Sequence, residues 1–212
     1  MYAVKEIFLT LQGEGAQSGR TAVFCRFAGC NLWTGREEDR HKAICQFCDT
    51  DFVGTNGSGG GKFKTAEELA DSISRAWPVS ADPTLAKFVV CTGGEPLLQL
   101  DSLLLAALHE RNFFVAVETN GTQTPPAGID WLCVSPKAGS NFILKNGSEL
   151  KLVYPQEDFG PDRFAGLNFQ HFFLQPMDGP QQLENIELAL RYCLNNPQWR
   201  LSIQTHKLLG IR

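Results

Sequence analysis

Apolar positions along this chain fall into two rhythms. Between Thr21 and Phe27 they alternate around Val23, Cys25 and Phe27, with β-branched and aromatic side chains that suit a strand running towards Gly29. The same reading predicts strands over 87–92, 113–119, 131–135, 149–154 and 169–174, and a closing strand over 199–204. Elsewhere the spacing lengthens to that of a helix. Leu69, Ile73, Ala76 and Trp77 share one stripe after the capping-box spacing of Thr65 and Glu68, and Pro78 stops the run. Further helices are predicted over 101–110 and 180–194.

Strands and helices mostly alternate through short connections, the pattern of βαβ units. About six core parallel strands against three main helices predict an α/β fold of incomplete, modified TIM-like (β/α) partial-barrel type. Nothing repeats internally and nothing divides the chain, so residues 1–212 read as one domain. Two stretches interrupt the pattern. Residues 31–44 turn polar, with a charged run at 35–42, and read as a solvated excursion; residues 54–62 are glycine-rich and read as a flexible insertion. Gly61-Lys62 hints at a phosphate loop, but Asn56 stands where the first glycine is required and Phe63 where Ser or Thr must follow.

Composition narrows the function classes. No apolar run approaches the roughly 18 to 20 residues of a membrane span, and Lys5 and Glu6 interrupt any secretory leader at the start, so a cytoplasmic protein without a membrane partner is expected. The net charge is −4 with Lys and Arg scattered, which argues against nucleic acid as a partner. Seven cysteines, an odd number in such a chain, point to metal or redox chemistry before disulfides.

Cys30, Cys45 and Cys48 supply three thiolates, the last two in a CxxC pair. A closed zinc site wants four ligands, and only Cys25 or His41 stands near enough in sequence to be a fourth. An iron–sulfur cluster with three protein ligands would leave one iron open. Spacing alone leaves both readings standing. Cys25, Cys91, Cys133 and Cys193 fall within or beside predicted elements and read as core cysteines.

Four predicted strand ends carry polar, Gly- or Pro-marked motifs: Thr92-Gly93-Gly94-Glu95-Pro96, Thr119-Asn120-Gly121, Ser135-Pro136-Lys137 and Gln175-Pro176-Met177-Asp178. Any one could be a turn; a barrel-like sheet would bring all four onto one rim. Leu11-Gln12-Gly13-Glu14-Gly15 and Arg26 offer groups for a planar heterocycle with amide edges and for a carboxylate, or else a hairpin turn and a salt-bridged arginine.

Taken together and in this order, these motifs, with Thr10, Asp49-Thr50 and Glu118, resemble the 7-carboxy-7-deazaguanine synthases of the radical S-adenosylmethionine (SAM) superfamily. One departure stands out: fourteen residues separate Cys30 from Cys45, where the superfamily usually has three. The resemblance implies ring contraction of 6-carboxy-5,6,7,8-tetrahydropterin to 7-carboxy-7-deazaguanine with loss of ammonia, on the route to queuosine and other 7-deazapurines. It implies a [4Fe–4S] cluster on Cys30, Cys45 and Cys48 and Mg2+ at Thr50. SAM would lie against Phe47, Cys48, Asp49, Gly94, Glu95, Ser135, Pro136, Lys137, Gln175, Pro176, Met177 and Asp178. Leu11, Gln12, Gly13, Arg26 and Thr92 form the implied substrate set, with Glu14 and Glu118 as acidic contacts to substrate or to the SAM ribose. A homodimer and a flavodoxin-type electron donor complete the expectation. A glycyl-radical activase or a non-catalytic zinc-binding module are the alternatives.

Overall fold

The structure is a computed structural model and describes residues 1–78, 82 and 84–212. The described residues form one sheet of nine strands: β1 (Tyr2–Leu11), β2 (Thr21–Phe27), β3 (Gly61–Phe63), β4 (Lys87–Gly93), β5 (Phe113–Thr119), β6 (Trp131–Val134), β7 (Asn146–Tyr154), β8 (Asn168–Pro176) and β9 (Trp199–Leu201). Their order is β3-β1-β2-β4-β5-β6-β7-β8-β9. From β2 onwards neighbours run parallel, while β1 is antiparallel to both β2 and β3. The six predicted core strands are all present.

Three helices cover the outer face: α1 (Ala66–Ala76), α2 (Ser102–His109) and α3 (Gln182–Asn195). Thr65 caps α1 by accepting from the Glu68 N–H at 3.2 Å, as the capping box predicts. α1 buries Ala66, Leu69, Ala70 and Ile73 in a core shared with Leu104, Leu105 and Leu108 of α2 and with β1, β2, β4 and β5. The second core lies under α3 and takes Leu150 and Leu152 from β7. Strand alternation sends Glu149 and Lys151 to the opposite, concave face. Among the described residues no α-helix stands between β5 and β6, β6 and β7, or β7 and β8, and the sheet stays open between its edge strands β3 and β9, which is what makes the barrel incomplete.

Asp101 caps α2 through the Leu104 N–H at 3.0 Å and also accepts from the Tyr2 hydroxyl of β1 at 2.8 Å. Asp101→Ala should therefore cost about 1 to 2 kcal/mol. Thermal denaturation should show a fall of about 3 °C or more.

Three sequence expectations change. β1 was not predicted, although it is among the longest strands. The glycine-rich stretch expected to be flexible is fastened along β1: Gly57 N–H donates to Lys5 O at 2.9 Å, Ile7 N–H to Ser58 O at 2.8 Å, and β3 pairs with Tyr2 to Val4. Its lack of side chains is what lets it lie so close. Residues 31–44 are not wholly solvated either. Leu32 and Trp33 are buried, Trp33 meets Phe52 edge-on, and Arg40 lies 4.0 Å over the Trp33 ring while donating to Gln46 O and Cys48 O.

Candidate active site

A cleft of about 360 Å3 opens at the carboxyl ends of the strands, where parallel α/β sheets place their sites. Its upper wall is made by the segment after β2 packed on the segment after β4. Gly94 N–H donates to Phe27 O at 3.2 Å and Glu95 N–H to Gly29 O at 2.9 Å. This approach requires glycine, since a Cβ on Gly94 would stand 2.0 Å from Gly29 O and 2.8 Å from the Cys30 Cβ. The glycine motif is thus the seat of the first cysteine.

Cys30, Cys45 and Cys48 all line this wall as free thiols. The hydrogen bond with Cys45 draws the Cys48 thiol down to about 6, and Lys137 favours its thiolate further, while that bond and burial push Cys45 up. Neither candidate for a fourth ligand joins them, because Cys25 packs in the outer core and His41 is exposed away from the cleft. Among the described residues, no three His, Cys, Asp or Glu side chains are grouped as ligands of a single ion. Cys91 and Cys133 are buried as expected; Cys193 is only half-buried.

Glu14, Glu118 and Lys151 form the floor. Lys151 extends from β7 and pairs with both carboxylates, with Glu118 at 3.2 Å. Burial opposes all these charges, yet the Lys151 ammonium and its hydrogen bond, with those from Thr92 and Gln12, hold Glu118 below the ordinary carboxylate range. Burial would likewise discharge Lys151, but Glu118 and Glu14 raise it well above its usual value. Gln12 links the group to the first turn, since its amide donates to Glu118 and accepts from the Glu14 N–H.

Most residues singled out from the sequence meet here. Leu11, Gln12, Gly13, Glu14, Arg26, Phe47, Asp49, Thr50, Thr92, Gly94, Glu118, Ser135, Lys137, Gln175, Pro176, Met177 and Asp178 line the cleft with the three cysteines. Arg26 donates its Nε to Glu6 at 2.9 Å, leaving its terminal nitrogens towards the cleft. Two residues do not line it. Pro136 is buried, with its carbonyl accepting from Gln156. Glu95 is wholly buried and accepts from Leu97 N–H, Thr119 Oγ1 and Asn120 N–H, so it braces the Thr119 to Gly121 strand end. Burial raises its carboxyl despite these bonds.

Sequence reasoning gave no site role to Glu6 or Lys151 and no chemistry to His206, Lys207 or Arg212, although the family resemblance implies that the chain end can reach the substrate pocket; all five line the cleft. After β9 the chain crosses back to β1 and ends in a short helix, α4 (Thr205–Leu209). Thr205 N–H donates to Gly13 O at 3.0 Å, Gln204 to Glu14 at 3.0 Å, and Arg212 to Glu6. Lys207 bridges Asp49 and Asp178 at 2.6 Å each. The His206 ring fills the space beside Gly13, where a Cβ would lie 2.3 Å from its Nδ1. A lysine at every-second-residue spacing from Glu149 in an otherwise apolar strand was the one local signal for Lys151.

A partial α/β barrel with three free thiols on a glycine-seated wall, facing an acidic floor, defines an enzyme of the radical SAM class. No family model matches the chain. It is 64% identical over 210 residues to a 7-carboxy-7-deazaguanine synthase of Caulobacter vibrioides, covering 99% of each. It is 63% identical to one of Bradyrhizobium diazoefficiens, covering 100% of this chain and 99% of that one. Its fold superposes on the crystal structure of QueE from Escherichia coli with a TM-score of 0.69 at 27% identity, over 96% of this chain and 93% of that one. The chain belongs to the 7-carboxy-7-deazaguanine synthase family.

Proposed function

We propose that this chain converts 6-carboxy-5,6,7,8-tetrahydropterin to 7-carboxy-7-deazaguanine with release of ammonia, on the route to queuosine. The observation that carries the reading is one cleft with three free thiols on one wall and the paired carboxylates of Glu14 and Glu118 on its floor. Cys30, Cys45 and Cys48 would hold a [4Fe–4S] cluster, which supplies one-electron cleavage of bound SAM. Three thiols on the cleft wall without a fourth protein donor suit such a cluster, which would then keep one iron open to a ligand.

SAM would lie along Phe47, Asp49, Gly94, Ser135, Lys137 and Gln175 to Asp178, which line the same cleft as the cysteines. Glu95 enters this wall only through Asn120, whose backbone it fixes. Arg26 pairs the pterin carboxylate, because a guanidinium with free terminal N–H groups binds a carboxylate bidentately. Glu14 and Glu118 accept from the pterin ring. Thr50 is the proposed Mg2+ ligand, a hydroxyl beside the cysteines suited to a hard cation.

A homodimer, a flavodoxin-type donor and a cytoplasmic location belong to the same reading. The outward row of Leu183, Leu190 and Leu194 on α3 is apolar surface of the kind a second copy covers. Seven free thiols suit a reducing compartment, and among the described residues no helix is long and apolar enough to cross a membrane.

The test is anaerobic reconstitution with iron and sulfide, then turnover of carboxytetrahydropterin with SAM, Mg2+ and a reductant. Deazaguanine product and 5′-deoxyadenosine should appear together. Deoxyadenosine without product would keep the radical SAM class and reject this substrate.

A further inference from the structure

We propose that Lys151 is a specificity-determining residue: it holds Glu14 and Glu118 as two acceptors that select a heterocycle with adjacent N–H donors, a 2-amino-4-oxopyrimidine edge, over its 2-oxo counterpart. This rests on the pterin reading above. It follows from what each carboxylate has left to offer. Glu118 accepts from Gln12 at 3.3 Å, Lys151 at 3.2 Å and Thr92 at 3.0 Å. Glu14 accepts from Lys151, from Gln175 at 3.1 Å and from Gln204 at 3.0 Å. An ionised carboxylate has about four acceptor places. Each glutamate therefore keeps one open, and both line the cleft.

Two open acceptors match two neighbouring donors, the ring N–H and the exocyclic amino group. A 2-oxo ring would set a carbonyl oxygen against one of them and leave it unpaired, which a site built on hydrogen bonds rejects strongly. The selection needs both carboxylates ionised. Lys151 is only 5% exposed at its side chain and is the cation they share. The other groups facing it are Glu149 on its own strand, occupied with the Ala16 N–H at 2.8 Å, and Cys133 on β6. Without the ammonium, burial would raise Glu118 with its main opponent gone, and once protonated it would present a donor to the donors of the ring.

The experiment compares kcat/KM for 6-carboxytetrahydropterin and its 2-oxo analogue in the wild type, Lys151→Met and the charge-matched Lys151→Met/Glu14→Gln. The wild type should prefer the 2-amino compound by about 10^4-fold. Lys151→Met should shrink that preference by about tenfold or more and move the acidic limb of the pH profile upward, since burial then raises Glu118 against the hydrogen bonds of Thr92 and Gln12 alone. The double variant, with one negative charge as in the wild type, should recover the limb but not the preference, having lost one acceptor. An unchanged preference in Lys151→Met overturns the role of Lys151, and if that variant does not fold, Lys151→Gln, which removes the charge but keeps a polar group at the site, decides by the same comparison. A wild type that is inert towards the pterin overturns the substrate reading and this inference with it.

Discussion

Gly94→Ala is expected to lose the proposed cluster almost entirely. Its added carbon would lie 2.0 Å from the Gly29 carbonyl, a backbone atom that cannot rotate aside, and 2.8 Å from the Cys30 Cβ. Relief requires parting the two backbone hydrogen bonds that join the glycine motif to the segment after β2. Overpacking of this kind costs about 1 to 3 kcal/mol, and the displacement falls on a cysteine ligand. Iron and sulfide per chain after anaerobic reconstitution should drop below about a tenth of wild type, because a misplaced ligand costs the site far more than the fold. Gly160→Ala is the control: its φ is −77° and no neighbour lies within 4 Å of its added carbon, so metal content and melting temperature should stay where they were. Normal iron content in Gly94→Ala would show that the wall does not need this close approach.

Deleting residues 205–212 should separate activity from folding. α4 contains no buried residue, so its removal opens neither hydrophobic core. It does free Asp49 and Asp178 from Lys207, Glu6 from Arg212, and the face of Gly13 from His206. Misplacement of a site wall by about 1 Å can cost on the order of a hundredfold in rate. Turnover should therefore fall by about a hundredfold or more while the melting temperature moves by no more than about 3 °C. A truncated chain that turns over at the full rate would reduce the segment to a surface ornament.

What could be read from the sequence was local. The strand-end motifs occupy adjacent positions, so a single turn carries each of them, and parallel pairing from β2 to β9 then delivers the turns to one rim. β1 escaped because its alternation breaks at Val4-Lys5-Glu6, where the pairing with β2 shifts register. Lys5 and Glu6 look like surface residues until distant partners bury them: Asp51 and Asn56 for the lysine, Arg26 and Arg212 for the glutamate. The glycine-rich stretch misled for a related reason. A backbone that packs by having no side chains reads locally like one that does not pack at all. Glu95 sits in a conspicuous motif, yet it is wholly buried with its carboxylate turned onto the protein itself, and only its partners reveal this. Lys151, Lys207 and Arg212 act on the site across 33, 158 and 206 positions, distances that periodicity cannot span.

The return of the chain from β9 to β1 closes the open side of the barrel with side chains and a few turn hydrogen bonds, and no strand ladder joins β9 to β1. A ladder closure would tie every change there to the register of the whole sheet. Here the last stave is free to diverge. Substitutions, insertions or exchanges in residues 203–212 can reshape one side of the pocket while the cores under α1, α2 and α3 are untouched. A change of ligand preference made there need not pass through the cores at all.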